Sequence, residues 1–378
     1  MPDRFWPPFL FLWGGLNALF LAADVFNLYV TLELVSLAAV ILVTLEGEGP
    51  ALTAGMRYLL VAQVGALSYL LGVGFLYGGF GALDVALLGR LLAVEPDRVA
   101  VLALALMTAG LFVKTALFPV HVWLPPAHGA APSPASALLS GLVVMASFYV
   151  LLRLWFDVFP GVATGAVRQL IGALGGASVL WGSLLALRQE RLKLILAYST
   201  VAQLGYLLLV FPLAGTVGAW AGGLYLALAH ACAKAAMFLG AGLILQARGR
   251  DRLTDIRGAA RHLPMTVVSL GLGGLTLMGL PPSGGFIGKW LLLTAAVESG
   301  QWWWAAVLLG GGILAVGYVF AVLRHAFTER GEEEEQEEGG FKPVPRWLEV
   351  VTLGLALVSV VLGFTGVPVV VLLTAAAP

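Results

Sequence analysis

Five ionisable side chains stand in stretches that are otherwise apolar. They are Glu33 in FNLYVTLELVSL, Lys114 in GLFVKTALFP, His230 and Lys234 in LAHACAKAAMF, and Lys289 in GLPPSGGFIGK. A lone charge at the centre of a bilayer costs about 2.5–3.5 kcal/mol or more, so each group must be paired, neutral or in reach of water. His230 and Lys234 are spaced i, i+4 and share one face of a helix. A carboxylate and a set of amines take up and release protons without help from any cofactor, and proton transfer is the chemistry this set supports. Glu33 drawn close to Lys114 would hold the amine's proton, and parting the two would let it go. The plain alternative for each group alone is an interhelical hydrogen bond. That alternative weighs most for His121 and His128, whose flanking prolines suit a loop or a cavity lining.

Prolines mark where these groups act. Pro119 has no N–H to donate and frees the carbonyl of Thr115, and Pro281 with Pro282 frees those of Leu277 and Met278. Inside a bilayer a freed carbonyl persists only where protein or water satisfies it. Each break has a lysine nearby, Lys114 before Pro119 and Lys289 after Pro282.

The elements that carry these residues follow from composition. The chain of 378 residues is 60% hydrophobic and only 11% charged, which excludes an ordinary soluble domain. Apolar runs of about 18 residues or more recur along it, each long enough to cross a hydrocarbon core about 30 Å thick as a helix. The sequence predicts an all-α, polytopic membrane helix bundle of about eleven spans: 8–23, 25–45, 53–79, 99–122, 133–156, 166–187, 192–211, 217–246, 264–297, 302–327 and 347–373. The stretch 82–98 is amphipathic and predicted to lie along the interface. The two broken spans are fourth and ninth in order, which implies two inverted five-helix repeats, about 8–156 and 166–327, followed by a final helix. All of it reads as one transmembrane domain, 1–378.

Charge placement gives the expected orientation. Of 21 Lys and Arg residues, fourteen fall on the side of the N-terminus, four on the other, and three, Lys114, Lys234 and Lys289, within the spans. The positive-inside rule then puts the N-terminus in the cytoplasm and the C-terminus outside, in the cell's inner (plasma) membrane. The run EEEEQEE at 332–338 repels itself and is expected to be a solvated cytoplasmic linker within 328–346. The first 26 residues carry a charged start and an LAAD stretch, but the hydrophobic pattern simply continues, so a cleaved leader is not expected. The single cysteine, Cys232, rules out an intrachain disulfide. No basic patch with interleaved aromatics suggests nucleic acid. No cofactor or metal is expected: haem would need two histidines at like depth and only His230 is clearly intramembrane, while an iron–sulfur centre would need more cysteines.

Four stretches carry a family resemblance: FPVHVWLPPAHGAAPSPASALLSG after the buried Lys114, RLKLILAYSTVAQLGYLLL, HACAKAAMFL and LPPSGGFIGKWLLL. Together they resemble the antiporter-like proton-translocating subunits shared by respiratory complex I, membrane-bound hydrogenases and Mrp-type sodium/proton antiporters. The opening FLWGGLNALFLAADVFNLYVTLELVSL most resembles the D subunit of the Mrp type. The family has fourteen transmembrane helices, so the eleven here would be the fourth to the fourteenth, with the first three missing. The resemblance implies a role for each residue. Glu33 would be the carboxylate on the fifth family helix and Lys114 its partner on the broken seventh. Lys193 would stand at the cytoplasmic start of the tenth, His230 and Lys234 would form the relay on the eleventh, and Lys289 would be the terminal group on the broken twelfth. A water wire through them would carry protons, or protons against sodium, inside a larger complex with other membrane subunits as partners.

One departure from the pattern matters. Relatives often place a lysine or histidine on the eighth family helix, whereas SALLSGLVVMASFYVLLR offers Ser140, Met145, Ala146 and Ser147, with nothing ionisable before Arg153. Either water bridges Lys114 to Lys234, or the chain serves mainly as a scaffold. A third reading, a membrane subunit of an NADH:quinone oxidoreductase that contributes only proton pumping, leaves any redox chemistry to partners.

Overall fold

The computed structural model describes residues 2–94, 97–329 and 340–375. Most of the expected acidic linker, 330–339, lies outside them. Among the described residues the chain is helical apart from loops and two isolated backbone bridges, Asp24 with Asp84 and Arg191 with Arg252. It folds as two compact units, one of residues 1–135 and 142–170, the other of 136–141 and 171–377.

The first unit holds α1 (Pro2–Leu21), α2 (Val25–Val43), α3 (Gly49–Phe80), α4 (Val85–Val94), α5 (Arg98–Lys114) and α6 (Leu124–Ala130), with most of α7 (Ser133–Val158). Local chemistry sets the helix starts. Asp24 accepts the backbone N–H groups of Phe26 at 3.0 Å and Asn27 at 2.7 Å to begin α2, and Asp97 accepts that of Ala100 at 2.8 Å to begin α5. Two π-helical turns, Leu139–Val143 and Leu154–Val158, interrupt α7.

The second unit holds α8 from Ile171 (the helix spans Gly165–Leu187), α9 (Leu192–Leu207), α10 (Val217–Arg248), α11 (Ala259–His262), α12 (Pro264–Met278), α13 (Gly284–Glu298), α14 (Trp302–Phe327), α15 (Arg346–Val361) and α16 (Gly366–Ala375). Thr216 and Ser283 cap α10 and α13. Helix α9 is buried along almost its whole length and forms the centre of this unit.

Among the described residues, seven helices are long and apolar enough to span a membrane, or up to eight if the bent pair α15 and α16 counts as one. These seven cover the expected spans 25–45, 53–79, 133–156, 166–187, 192–211, 217–246 and 302–327. The expected span 8–23 falls in α1, which is not among the seven. The other three differences have local causes. Helix α5 stops at Lys114, ahead of Pro119, and so is 17 residues long. The expected span 264–297 is two helices of 15 residues, α12 and α13, parted at the Leu280–Ser283 stretch that contains both prolines. The expected span 347–373 bends by 76° between α15 and α16.

The outward faces are apolar. On α3 the exposed residues Leu60, Val64, Leu67 and Leu71 follow helical spacing, and Tyr58, Ala62, Ala66 and Tyr69 face inward. A soluble protein would put polar residues on that outer stripe, so the stripe is built for lipid. Inside, α3 and α5 touch through Gly65 and Gly110. A Cβ on Gly65 would stand 2.8 Å from the Gly110 carbonyl oxygen, and one on Gly110 would press still closer on that of Gly65. The approach depends on small residues, as is usual where water supplies no drive for helices to associate.

Gly110→Leu should therefore lower the thermal midpoint of the detergent-purified protein by the equivalent of about 1–3 kcal/mol of overpacking. Gly14→Leu, at a position where a Cβ meets nothing within 4 Å, should leave the midpoint unchanged.

Candidate functional site

In the first unit the end of α5 delivers Lys114 to α2. Its Nζ lies 2.5 Å from Glu33 Oε1 and donates to Ser36 Oγ at 2.9 Å. The Gln63 Nε2 of α3 donates to the other carboxylate oxygen, Glu33 Oε2, at 2.7 Å. The side chains of Lys114 and Glu33 are 3% and 15% exposed, so the pair is enclosed but reachable from the Glu33 side. A charge-assisted bond of this length orders both groups, and Gln63 fixes the free oxygen so that the carboxylate cannot swing away unaided.

The break after Lys114 is tightly satisfied. Leu117 N–H donates back to the Phe112 carbonyl at 3.0 Å, and the Val113 carbonyl accepts both Ala116 N–H at 3.1 Å and Trp123 Nε1 at 2.8 Å. Trp123 in turn stacks on Tyr58 with ring centres 4.0 Å apart. The hydroxyl of Thr115 is buried and finds no hydrogen-bond partner among the described residues. Ala116 has φ +56°, the left-handed conformation that a side chain resists. His121 stacks on Phe118, and His128 is buried within α6.

In the second unit the break between α12 and α13 is satisfied by different partners. The Leu277 carbonyl, released because Pro281 has no N–H, accepts Lys289 Nζ at 2.6 Å and Gln203 Nε2 at 3.0 Å. The Lys289 ammonium also stands 4.1 Å from the centre of the Tyr206 ring, within cation–π range. Gly279, at φ +76°, closes α12, and a Cβ there would meet the Lys289 stem at 2.6 Å. The groove of about 310 Å³ beside Lys289 is walled by Met278, Leu280, Phe286, Trp290 and Ile313, and its apolar lining suits lipid chains rather than water.

Lys234 lies at 0% exposure in the same unit. Its Nζ donates to Ser199 Oγ at 2.5 Å and to the Leu196 carbonyl at 2.7 Å, both on α9. His230, one turn earlier on α10, is enclosed beside the Ser140 backbone. Lys193 is buried at the second position of α9, and Leu196, Thr200 and Gln203 follow it on one helical face.

Of the residues singled out from sequence, Glu33 and Lys114 are brought into contact, Lys234 and Lys289 reach α9, which itself carries Lys193, and His230 lies one turn from Lys234. Ser36, Gln63, Ser199, Gln203 and Tyr206 were missed, because uncharged polar residues on apolar helices carry no local mark of what they will meet. Glu349 was missed too. It lies buried on α15, and its Oε2 accepts the Thr266 backbone N–H at 3.2 Å and the Thr266 hydroxyl at 3.0 Å. A carboxylate so placed caps the start of the broken helix α12 from a neighbouring helix. That Glu33 and Lys114 are bound as a unit is testable by a double-mutant cycle. The thermal cost of Glu33→Gln should fall when Lys114→Met is added, with a coupling of about 1–3 kcal/mol, because the single change leaves an ammonium without its counter-charge.

A model of the family described as NADH:quinone oxidoreductase/Mrp antiporter, TM, matches residues 22–315. The chain is 37% identical to NADH-quinone oxidoreductase subunit N of Desulforudis audaxviator, over 86% of its own length and 65% of the relative's. It is 30% identical to the D subunit of the Na(+)/H(+) antiporter of Alkalihalophilus pseudofirmus, over 97% of its own length and 73% of the relative's. A solved structure of the Mrp complex from Dietzia sp. superposes with a TM-score of 0.90 at 26% identity, covering 98% of this chain and 77% of that one. The chain thus spans just under two thirds of the first of these relatives. The matched region takes in both helix breaks and the side chains gathered at each. On these grounds the chain is a member of the NADH:quinone oxidoreductase/Mrp antiporter membrane family.

Proposed function

We propose that this chain is a proton-translocating subunit of a larger membrane complex, of the kind that its relatives' names describe, with sodium as an alternative coupled ion. The observation that carries the reading is the Lys114–Glu33 pair, held at 2.5 Å in an apolar interior by Ser36 and Gln63. An ion pair kept there for stability alone is a poor choice, since well-packed hydrophobic residues of like volume do as well or better. A pair that opens and closes has a use. With Glu33 in contact the ammonium is compensated; with Glu33 withdrawn it is left bare in a dry surround and hands its proton to the next acceptor.

His230, Lys234 and Lys289 are the further groups of the relay, and Lys193 lies at its cytoplasmic end. The finer architecture belongs to the same reading: eleven spans, two inverted five-helix repeats at about 8–156 and 166–327, a final helix at about 347–373, and a cytoplasmic N-terminus. The two breaks support it, each a helix ended by a residue at positive φ three positions before a proline, Ala116 before Pro119 and Gly279 before Pro282. The scaffold reading keeps one observation in its favour, the lack of any acid, lysine, arginine or histidine on α7 ahead of Arg153.

Lys114→Ala should abolish proton flux in vesicles carrying the assembled complex, with the other subunits still co-purifying. Wild-type flux from that variant would favour the scaffold. For orientation, a cysteine placed at Arg250 in a Cys232→Ser background should react with an impermeant maleimide in inside-out vesicles and not in intact cells. The reverse pattern would overturn the proposed topology.

A further inference from the structure

The groove beside Lys289 opens outward between α13 and α14. Trp290, Leu309 and Ile313 along it are each more than half exposed, on an apolar outer surface of the kind that faces lipid. Phe286 and Trp290 stack at 5.8 Å to form one wall. Two glycines keep the space open. Gly312 bears no side chain on the opposite wall, and a Cβ there would meet only the Met278 carbonyl oxygen, at 3.5 Å. Gly279 leaves room for the stem of Lys289, which a Cβ would meet at 2.6 Å. Of the residues that line the groove, Lys289 alone is ionisable.

That amine is sparsely served. An ammonium has three N–H donors. Among the described residues Lys289 Nζ donates to a single oxygen, that of Leu277, at 2.6 Å, and joins no ion pair. Lys114, by contrast, has both a carboxylate and a hydroxyl.

We infer that the groove binds a long-chain fatty acid, with its tail along the apolar walls and its carboxylate on Lys289.

Charge, depth and width select this ligand over other lipids. Lys289 stands nine residues, about 14 Å, from the end of α13 at Glu298, near the middle of a hydrocarbon core about 30 Å thick. A phospholipid headgroup keeps its charge and is held at the interface by the cost of carrying that charge inward. A fatty acid loses its charge on protonation and so enters hydrocarbon as a neutral acid. In the groove its O–H bond breaks and the proton passes to the lone pair of the amine, which leaves an ammonium and a carboxylate paired at zero net charge. The volume of about 310 Å³ lies at the lower end of the range for small-ligand sites, about 300–1,000 Å³, and suits one slender chain rather than two. Binding of this kind does not depend on whether the chain moves protons.

Photolabelling tests it. Membranes carrying the assembled complex are irradiated with a palmitic acid that bears a diazirine on its chain, and the labelled peptides are mapped. Label is expected on segments 286–293 and 308–316. Excess palmitate should lower it at least about tenfold, whereas hexadecanol, with the same tail and no carboxyl, should leave it within about twofold. Equal competition by the alcohol would mark a greasy slot without a head-group site and overturn the inference. Label absent from both segments also overturns it, and is the result expected if another subunit covers the groove. Two variants add a second measurement. Gly312→Leu projects a side chain into the space and should cut the label at least about fivefold. Lys289→Met keeps the stem and removes the amine, so it should abolish the preference for palmitate over hexadecanol. Label retained in the first or preference retained in the second sinks the proposal, and if neither variant assembles, the competition in the wild-type complex decides alone.

Discussion

Hydrocarbon offers no hydrogen-bond partner, so a helix broken within it must hand its released carbonyls to side chains or to water. Much of this structure answers that one demand. The Leu277 carbonyl goes to Lys289 and Gln203, that of Val113 to the Trp123 indole, and that of Leu362, at the bend between α15 and α16, to the Tyr225 hydroxyl. Each solution plants a polar side chain at the break. The buried amine of Lys289 is thus one of the groups that satisfy the break.

Charge obeys the same demand with a larger stake. The ammonium of Lys114 is compensated by one carboxylate and one hydroxyl, and the carboxylate by the amine and one amide. Among the described residues Lys234 has no such counter-charge; it donates to a carbonyl and a hydroxyl and stands over the Phe238 ring. The two amines thus sit in unlike surroundings, one beside an acid and one among neutral dipoles.

Close packing makes these contacts specific. The glycine contact between α3 and α5 lets two backbones meet, and it sets the distance from which Lys114 reaches α2 and Gln63 reaches Glu33. Glu349 places a hydrogen-bond acceptor over the start of α12. In the second unit, α9 is buried among its neighbours and offers its serine, threonine and glutamine to them, so a helix without acids supplies polar contacts to the helices around it.

The membrane setting, the helical class, the two interruptions and the charged groups inside apolar runs all follow from the order of residues. Each has a local cause: run length against bilayer thickness, a proline without an N–H, or a charge with no water nearby. Partners are another matter. Glu33 and Lys114 are 81 positions apart, and Lys234 reaches α9 across 38, so nothing nearby in the chain names one to the other. Ser36, Gln63 and Ser199 look like any polar residue on an apolar helix. Only the packed helices turn them into ligands of a charge, because a hydrogen bond needs about 3 Å and a definite angle, and residue order fixes neither.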